Sequence, residues 1–335
     1  TCYVAGTRYK SGDFKPYLYK TTDYGKSWSK ITKGINEEHF TRVLREDPEN
    51  KNILYAGTET GMYISFNSGK NWKTFQLNLP IVPITDLTIK NNSLIVATQG
   101  RSLWMIDDLT VLHQNYISHD LQKNFLYKPK DTYRIAGGKS NRNKLTEGEN
   151  LDNGVITYFN IPTYTENDEV SLTYLNTNRD TIVSFGTKLK EKKKLNVKKG
   201  ANKFAWNMYY DGASDFKGMV LWWASLSGPK AVPGNYYVDL NVNGEVISKS
   251  FNILIDPRSE SSVLNMQEQF NFITSINQTV DKSHKSIKKI RNIKNQLSKF
   301  ITEYSENDVK DLIDKASVLE GKLSAIEKEL YQTQN

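Results

Sequence analysis

Asp107 and Asp108 are adjacent carboxylates at the end of an apolar run, Leu103-Trp104-Met105-Ile106. Hydrolysis of a glycosidic bond uses two carboxyl groups roughly 5–10 Å apart across the sugar. Neighbours on a strand point to opposite faces, so these two read as turn or cap residues and not as a cooperating pair. Glu37-Glu38 read as solvent-exposed. Glu59 follows Gly57-Thr58 and is a candidate ligand contact, as are Arg101 and Trp104. Arg101 either pairs with Asp107 or Asp108 or lines the same ligand-facing end. The histidines, His39, His113, His119 and His284, show no metal-ligand spacing. With one cysteine, Cys2, neither a metal cluster nor an intrachain disulfide is expected, and Cys2 reads as a buried thiol. No glycine-rich phosphate loop and no hydroxyl–histidine–acid set is evident, so no cofactor is expected. Trp222-Trp223 with Tyr236-Tyr237 read as core plus a covering loop, with a sugar-stacking platform as the alternative.

The elements that would position these residues repeat. Thr21-Thr22-Asp23-Tyr24-Gly25-Lys26-Ser27-Trp28 and Ser65-Phe66-Asn67-Ser68-Gly69-Lys70-Asn71-Trp72 align with Asp23 and Asn67, Gly25 and Gly69, and Trp28 and Trp72 each 44 residues apart. Each follows a strand-like run, Val4-Ala5-Gly6-Thr7 or Tyr55-Ala56-Gly57-Thr58. A third run, Val96-Ala97-Thr98, leads to Leu103–Asp107 without the Asp-x-Gly turn. A period near 44 with about four short strands fits a propeller blade. The pattern S/T-x-D-x-G-x-[ST]-W is the Asp-box, or BNR repeat. Its Asp or Asn accepts backbone N–H groups to close a turn, its Gly supplies positive φ, and its Trp packs between strands. Thr21, Asp23, Gly25, Trp28, Ser65, Asn67, Gly69 and Trp72 are therefore structural. Two to three blades fit before residue 125, and a closed propeller takes four to eight, so further blades are expected upstream.

The expected organisation is mainly β with a C-terminal α part. Residues 1–124 hold the last 2–3 blades of an incomplete Asp-box β-propeller. Residues 125–145 form a linker. Residues 146–257 form an immunoglobulin- or fibronectin-like β-sandwich, with Tyr236, Val238, Leu240 and Val242 alternating into an Asn243-Gly244 hairpin. Residues 258–335 form an antiparallel helical hairpin, with helices near 262–301 and 307–331. One seam is Ile273, Ile276, Val280, Ile287, Ile290 and Leu297. The other is Val309, Leu312, Ala316, Leu319, Leu323, Ile326 and Leu330. Residues 263–301 carry seven Lys/Arg against two Asp/Glu and residues 306–331 four against seven, which favours pairing. Two helices bury little alone, so a third helix or a docking surface is implied.

The net charge is +8, but the basic runs Lys188–Lys199 and Lys282–Lys294 read as a solvated loop and one helix face. No nucleic-acid partner is expected. No apolar run approaches the roughly 20 residues of a membrane span, so no transmembrane segment is expected.

The order of Tyr19–Trp28, Thr98–Asp108, Gly218–Trp222, Gly228–Tyr236 and Asp256-Pro257-Arg258 resembles the C-terminal third of large bacterial BNR-repeat proteins. These are related to the sortilin-type propellers and commonly labelled glycosyl hydrolases. The resemblance covers nearly the whole chain. It implies an upstream propeller region, export to the periplasm or cell surface, and binding of a glycan or protein ligand or a scaffolding role. The alternative it implies is a glycoside hydrolase whose catalytic carboxylates lie mostly in upstream blades, and no motif here receives those carboxylates. Tyr133-Arg134-Ile135 is similar to the first-arginine motif of sialidases, but it follows the propeller instead of opening it, and no arginine triad accompanies it.

Overall fold

The repeated strand runs form three antiparallel sheets, of which the middle one is buried on both faces and the flanking two on the face toward it. The computed structural model describes residues 1–115, 122–135, 151–222, 224–304 and 306–332. The first sheet holds β1 (Cys2–Arg8), β2 (Asp13–Thr21) and β3 (Ser29–Lys30). The second holds β4 (Thr41–Glu46), β5 (Leu54–Thr58), β6 (Gly61–Ser65) and β7 (Lys73–Thr74) in sequential order. The third holds β8 (Ile84–Lys90), β9 (Ser93–Thr98) and β10 (Leu103–Ile106), followed by α1 (Thr110–Asn115).

Every residue of β5 and β6 is buried, because both faces of the second sheet are covered. Leu44, Leu54, Ala56 and Tyr63 pack with Leu18 and Ile35 on the side of the first sheet. Val43, Tyr55, Met62 and Ile64 pack with Ile84, Leu87, Leu94 and Val96 of the third. Each fully buried aliphatic side chain contributes roughly 1.5–3 kcal/mol. The sheets approach so closely at Gly57 that an added Cβ would lie 2.6 Å from both Ile84 Cγ2 and Val43 Cγ1.

The outer faces of the flanking sheets are bare. Val4 is exposed on the first, and Leu103 and Met105 on the third. Cys2 shares this bare face of β1 and is exposed, not buried as its apolar neighbours suggested. The three sheets are consecutive blades of a partial β-propeller.

Two further sheets enclose a separate core. One is β11 (Phe125–Leu126), β13 (Val155–Ile161) and β16 (Gly200–Trp206), in the order β11-β13-β16. The other is β12 (Thr132–Arg134), β14 (Val170–Leu175), β15 (Thr181–Gly186), β17 (Gly234–Val242) and β18 (Glu245–Ile255), in the order β12-β18-β17-β14-β15. Trp206 stacks on Tyr174 at 4.6 Å at the centre, with Phe159, Phe251 and Tyr236 around them. Val242 and Glu245 pair across Asn243-Gly244, both at positive φ, the geometry of a tight hairpin turn. β11 and β12 fall within the expected linker, yet they are strands of these sheets. The rest of that segment, from 136 on, lies outside the described residues. Tyr236 is core, whereas Trp222 is exposed and joins no core, and Trp223 lies outside the described residues.

α2 (Val263–Glu303) and α3 (Glu306–Leu330) form the antiparallel hairpin. α2 begins on a capping box in which Ser262 Oγ accepts from Asn265 N and the Asn265 side chain accepts from Ser262 N. The α3 seam differs from the expected one. Ala316 and Glu327 are buried, while Leu312, Leu319, Ile326 and Leu330 are exposed. The buried pair is 11 residues apart, so the packed face is turned away from half of the apolar heptad. The backbone leaves helical values at Val309 (φ −141°), and Glu327 is drawn inward by Arg291 and Lys294 of α2. Ile287 and Ile290 of the expected α2 seam are buried, but Ile276 is exposed.

The long β16–β17 connection straps this hairpin to the sheets. Ser214 N donates to Asp281 Oδ1 (3.0 Å), and Val220 N donates to Tyr331 Oη (2.9 Å). Phe216 packs edge-on to both His284 and Tyr331 at 5.0 Å.

Candidate functional site

The turn after β2 is built by the residues the repeat singled out. Thr21 Oγ1 donates to Asp23 Oδ1 (2.8 Å) and accepts from Gly25 N (3.0 Å). Asp23 also accepts from Ser27 N (2.9 Å) and Ser27 Oγ (2.6 Å). Led by the Ser27 hydroxyl, these donors hold the Asp23 carboxyl down to about 2. The carboxylate is thus committed to its own turn and is no proton donor at neutral pH.

The turn after β6 repeats the plan. Ser65 Oγ donates to Asn67 Oδ1 (3.0 Å), Gly69 N to Ser65 Oγ (2.9 Å), and Asn71 N to Asn67 Oδ1 (2.9 Å). Gly25 and Gly69 have φ of 87° and 88°. The two tryptophans differ in reach. Trp28 Nε1 bonds Gly25 O within its own turn, and Trp28 is 44% exposed. Trp72 is buried and its Nε1 donates to Ile31 O (2.6 Å), on the connection from the preceding sheet.

These turns lie at the opposite end of their sheets from the β1–β2, β5–β6 and β9–β10 loops. At that second end Tyr9 stacks on Phe40 with centroids 5.0 Å apart, and Phe14 lies 6.1 Å from the same ring. The Arg42 guanidinium sits 5.3 Å over Phe40, and its Nε pairs with Glu59 Oε2 at 2.5 Å. Glu59 N is fixed to Phe40 O (3.1 Å). Asp13 accepts from Tyr17 Oη at 2.6 Å, and that bond is the largest cause holding its carboxyl below the ordinary range. Glu59 and Asp13 are therefore anchored. Tyr9 and Phe14 remain exposed. Exposed rings beside a charged pair can stack on a sugar face or a side chain while the ions take hydrogen bonds. Phe14, Phe40 and Arg42 were not singled out from sequence. The available signal was the cluster of aromatics flanking the turn, Tyr9 to Phe14.

Of the other candidates, Arg101 is exposed and its guanidinium donates to Gly100 O (3.0 Å); among the described residues it pairs with neither Asp107 nor Asp108. Trp104 is half-buried against the core between the second and third sheets, and its Nε1 donates to Arg101 O (2.9 Å). Glu59 and Arg101 are on loops at the same end, whereas Trp104 lies on β10. Asp108 caps the start of α1 by accepting from Thr110 N (3.0 Å) and also accepts from Asn92 Nδ2 (3.0 Å). Burial raises the Asp107 carboxyl above its ordinary value, opposed by Lys203. A second buried polar group went unread in the sequence. Asp47 is fully buried and accepts from Glu49 N, Asn50 N, Tyr55 Oη (3.1 Å) and His113 Nε2 (2.8 Å), which docks α1 on the second sheet. Among the described residues no group of three or more His, Cys, Asp or Glu could hold a metal ion. No described helix is long and apolar enough to cross a membrane.

Sheets of short antiparallel strands, packed face to face and closed by repeated turns, define a protein of the β-propeller class. The chain belongs to the Sortilin-Vps10 family, described as sortilin, neurotensin receptor 3, whose profile matches residues 17–209. No curated protein sequence matches it. Among solved structures it is similar to an ancestral GH74 enzyme, at 24% identity over 27% of this chain and 11% of that one, with a TM-score of 0.23. It is also similar to the extracellular domain of a one component system from B. thetaiotaomicron, at 12% identity over 72% of this chain and 29% of that one, with a TM-score of 0.23. The chain thus spans under a third of the length of either.

Proposed function

We propose that this chain is the C-terminal region of an extracytoplasmic β-propeller protein that binds a glycan or protein ligand at the end bearing Tyr9, Phe14, Arg42 and Glu59. The observation that carries the reading is the exposed aromatic pair set beside an anchored ion pair. Membership of the Sortilin-Vps10 family supports it. At this end Glu59 and Asp13 serve ligand contact and not acid–base chemistry in this reading, because Glu59 is tied to Arg42 and Asp13 to Tyr17.

In this reading the turns at Thr21–Trp28 and Ser65–Trp72 are structural Asp-boxes. Arg101 lines the same ligand-facing end. The bare faces at Val4 and at Leu103 and Met105 receive neighbouring blades of the same protein. Residues 1–124 are propeller blades, the two-sheet body up to 257 is an immunoglobulin-like module, and the helical hairpin braces it.

The test is titration of the protein with a panel of neutral oligosaccharides and peptides, followed by Phe14→Ala and Tyr9→Ala. Each is expected to weaken binding of the panel's best ligand about tenfold, the loss of one stacking contact, at unchanged melting temperature. Unchanged affinity in both variants overturns the site. Release of new reducing ends from an oligosaccharide overturns the non-catalytic reading.

A further inference from the structure

Between the two-sheet body and the first half of α2 lies a cavity of about 740 Å³, within the range of small-molecule sites. Its wall carries two cations, Arg134 at the end of β12 and Lys230 just before β17. They are cross-tied through the backbone. Arg134 Nε donates to Ala231 O (2.9 Å) and Lys230 Nζ donates to Ile135 O (2.8 Å). The crossing holds the two charges side by side, and among the described residues neither makes an ion pair. The acidic residues lining the cavity are already engaged. Asp152 pairs with Lys203 at 2.8 Å, and Asp256 with Arg258 at 2.8 Å. Asn207 and Tyr209 project from the sheet side and Gln269 from α2.

A latch between β12 and the β16–β17 connection would need only two donors. Two neighbouring cations add repulsion, and burial together with the Arg134 charge pulls Lys230 below its ordinary lysine value. An anion between them removes that repulsion and accepts charge-assisted bonds from both groups, with the Arg134 guanidinium suited to a planar carboxylate.

We propose that this cavity binds a small acidic sugar, its carboxylate held by Arg134 and Lys230 and its hydroxyls by Asn207 and Gln269. The site is separate from the propeller end and stands whether or not that end binds a ligand.

The test is calorimetric titration of the whole chain with glucuronate, glucose and inorganic sulfate. Saturable binding of glucuronate is expected, with none of glucose. Arg134→Gln and Lys230→Gln are each expected to weaken it about tenfold, the loss of one charge-assisted bond. Gln269→Ala, exposed on α2 and outside the latch, is expected to weaken it several-fold at an unchanged melting temperature, so the site remains testable if a latch variant unfolds. Absence of saturable glucuronate binding, equal affinity in all three variants, or sulfate binding as tight as glucuronate would each overturn the proposal.

Discussion

Glu327 is a buried charged residue in the last turn of α3, and neutralising it tests what joins the two helices. Its side chain is 5% exposed, with Arg291 Nε 2.6 Å from one oxygen and Lys294 Nζ 3.1 Å from the other. Arg291 reaches onward to Lys217 O (2.7 Å) and lies over the Phe216 ring, so the carboxylate also anchors the strap from the β16–β17 connection. E327Q keeps the shape but leaves two cations facing a neutral amide. Breaking a fully buried pair costs about 3–5 kcal/mol. The partners here are 34% and 26% exposed and keep part of their hydration, so we expect about 2 kcal/mol. Burial pushes the Glu327 carboxyl up, but Arg291 and Lys294 together hold it below its ordinary value of 4.5. Its folded value is the lower one, so its contribution is present above pH 4.5 and fades as pH falls through the folded value. The assay is urea unfolding of wild type and E327Q followed by helix signal, at neutral pH and again near pH 3. The gap should be present at neutral pH and shrink in acid. Equal stability at neutral pH, or a gap that widens in acid, refutes the assignment.

The observed seam predicts opposite outcomes at two neighbouring positions of α3. Ala316→Asp puts an unpaired carboxylate at a buried site and should cost several kcal/mol, whereas Leu319→Asp, at a 44% exposed site, should cost about 1 kcal/mol or less; the same unfolding assay ranks them. Gly57→Val places branched atoms against Ile84 and Val43 and should cost about 1–3 kcal/mol by overpacking. A drop in the melting temperature of the blades, read by the buried Trp72, checks it.

Much of the architecture is written in local patterns. The repeat of Asp23 and Asn67 marks the turns because only a short acceptor side chain followed by a positive-φ glycine closes them. Asn243-Gly244 marks its hairpin for the same backbone reason. The helix limits followed from apolar spacing, but the phase of α3 did not. An a/d pattern does not reveal that Glu327 outcompetes Leu319 and Ile326 for the interior, because its partners Arg291 and Lys294 sit 36 and 33 residues away. β11 and β12 are two and three residues long, too short to carry an alternation. Of the two readings of Arg101, pairing with Asp107 or Asp108 is not the one formed, since Asp108 is taken by Thr110 and Asn92, and Arg101 stays on its loop at the proposed ligand-facing end. The aromatic end and the Arg134–Lys230 crossing depend on long-range neighbours that no single motif encodes.

The grip of Trp72 on Ile31 has a consequence for how such a chain acquires its shape. The bond spans 41 residues. Gly34 lies so close against the Trp72 backbone that a Cβ there would sit 2.3 Å from Trp72 O, and Trp72 N closes on Lys33 O (2.9 Å). The connection at 31–35 is therefore clamped by chain that is synthesised after it, and the clamp is set once the next blade's turn has formed. Closing a contact between adjacent blades costs less chain entropy than closing one across the whole chain. Each new blade thereby fastens its predecessor, so order can propagate along the nascent polypeptide in the direction of synthesis, one blade at a time.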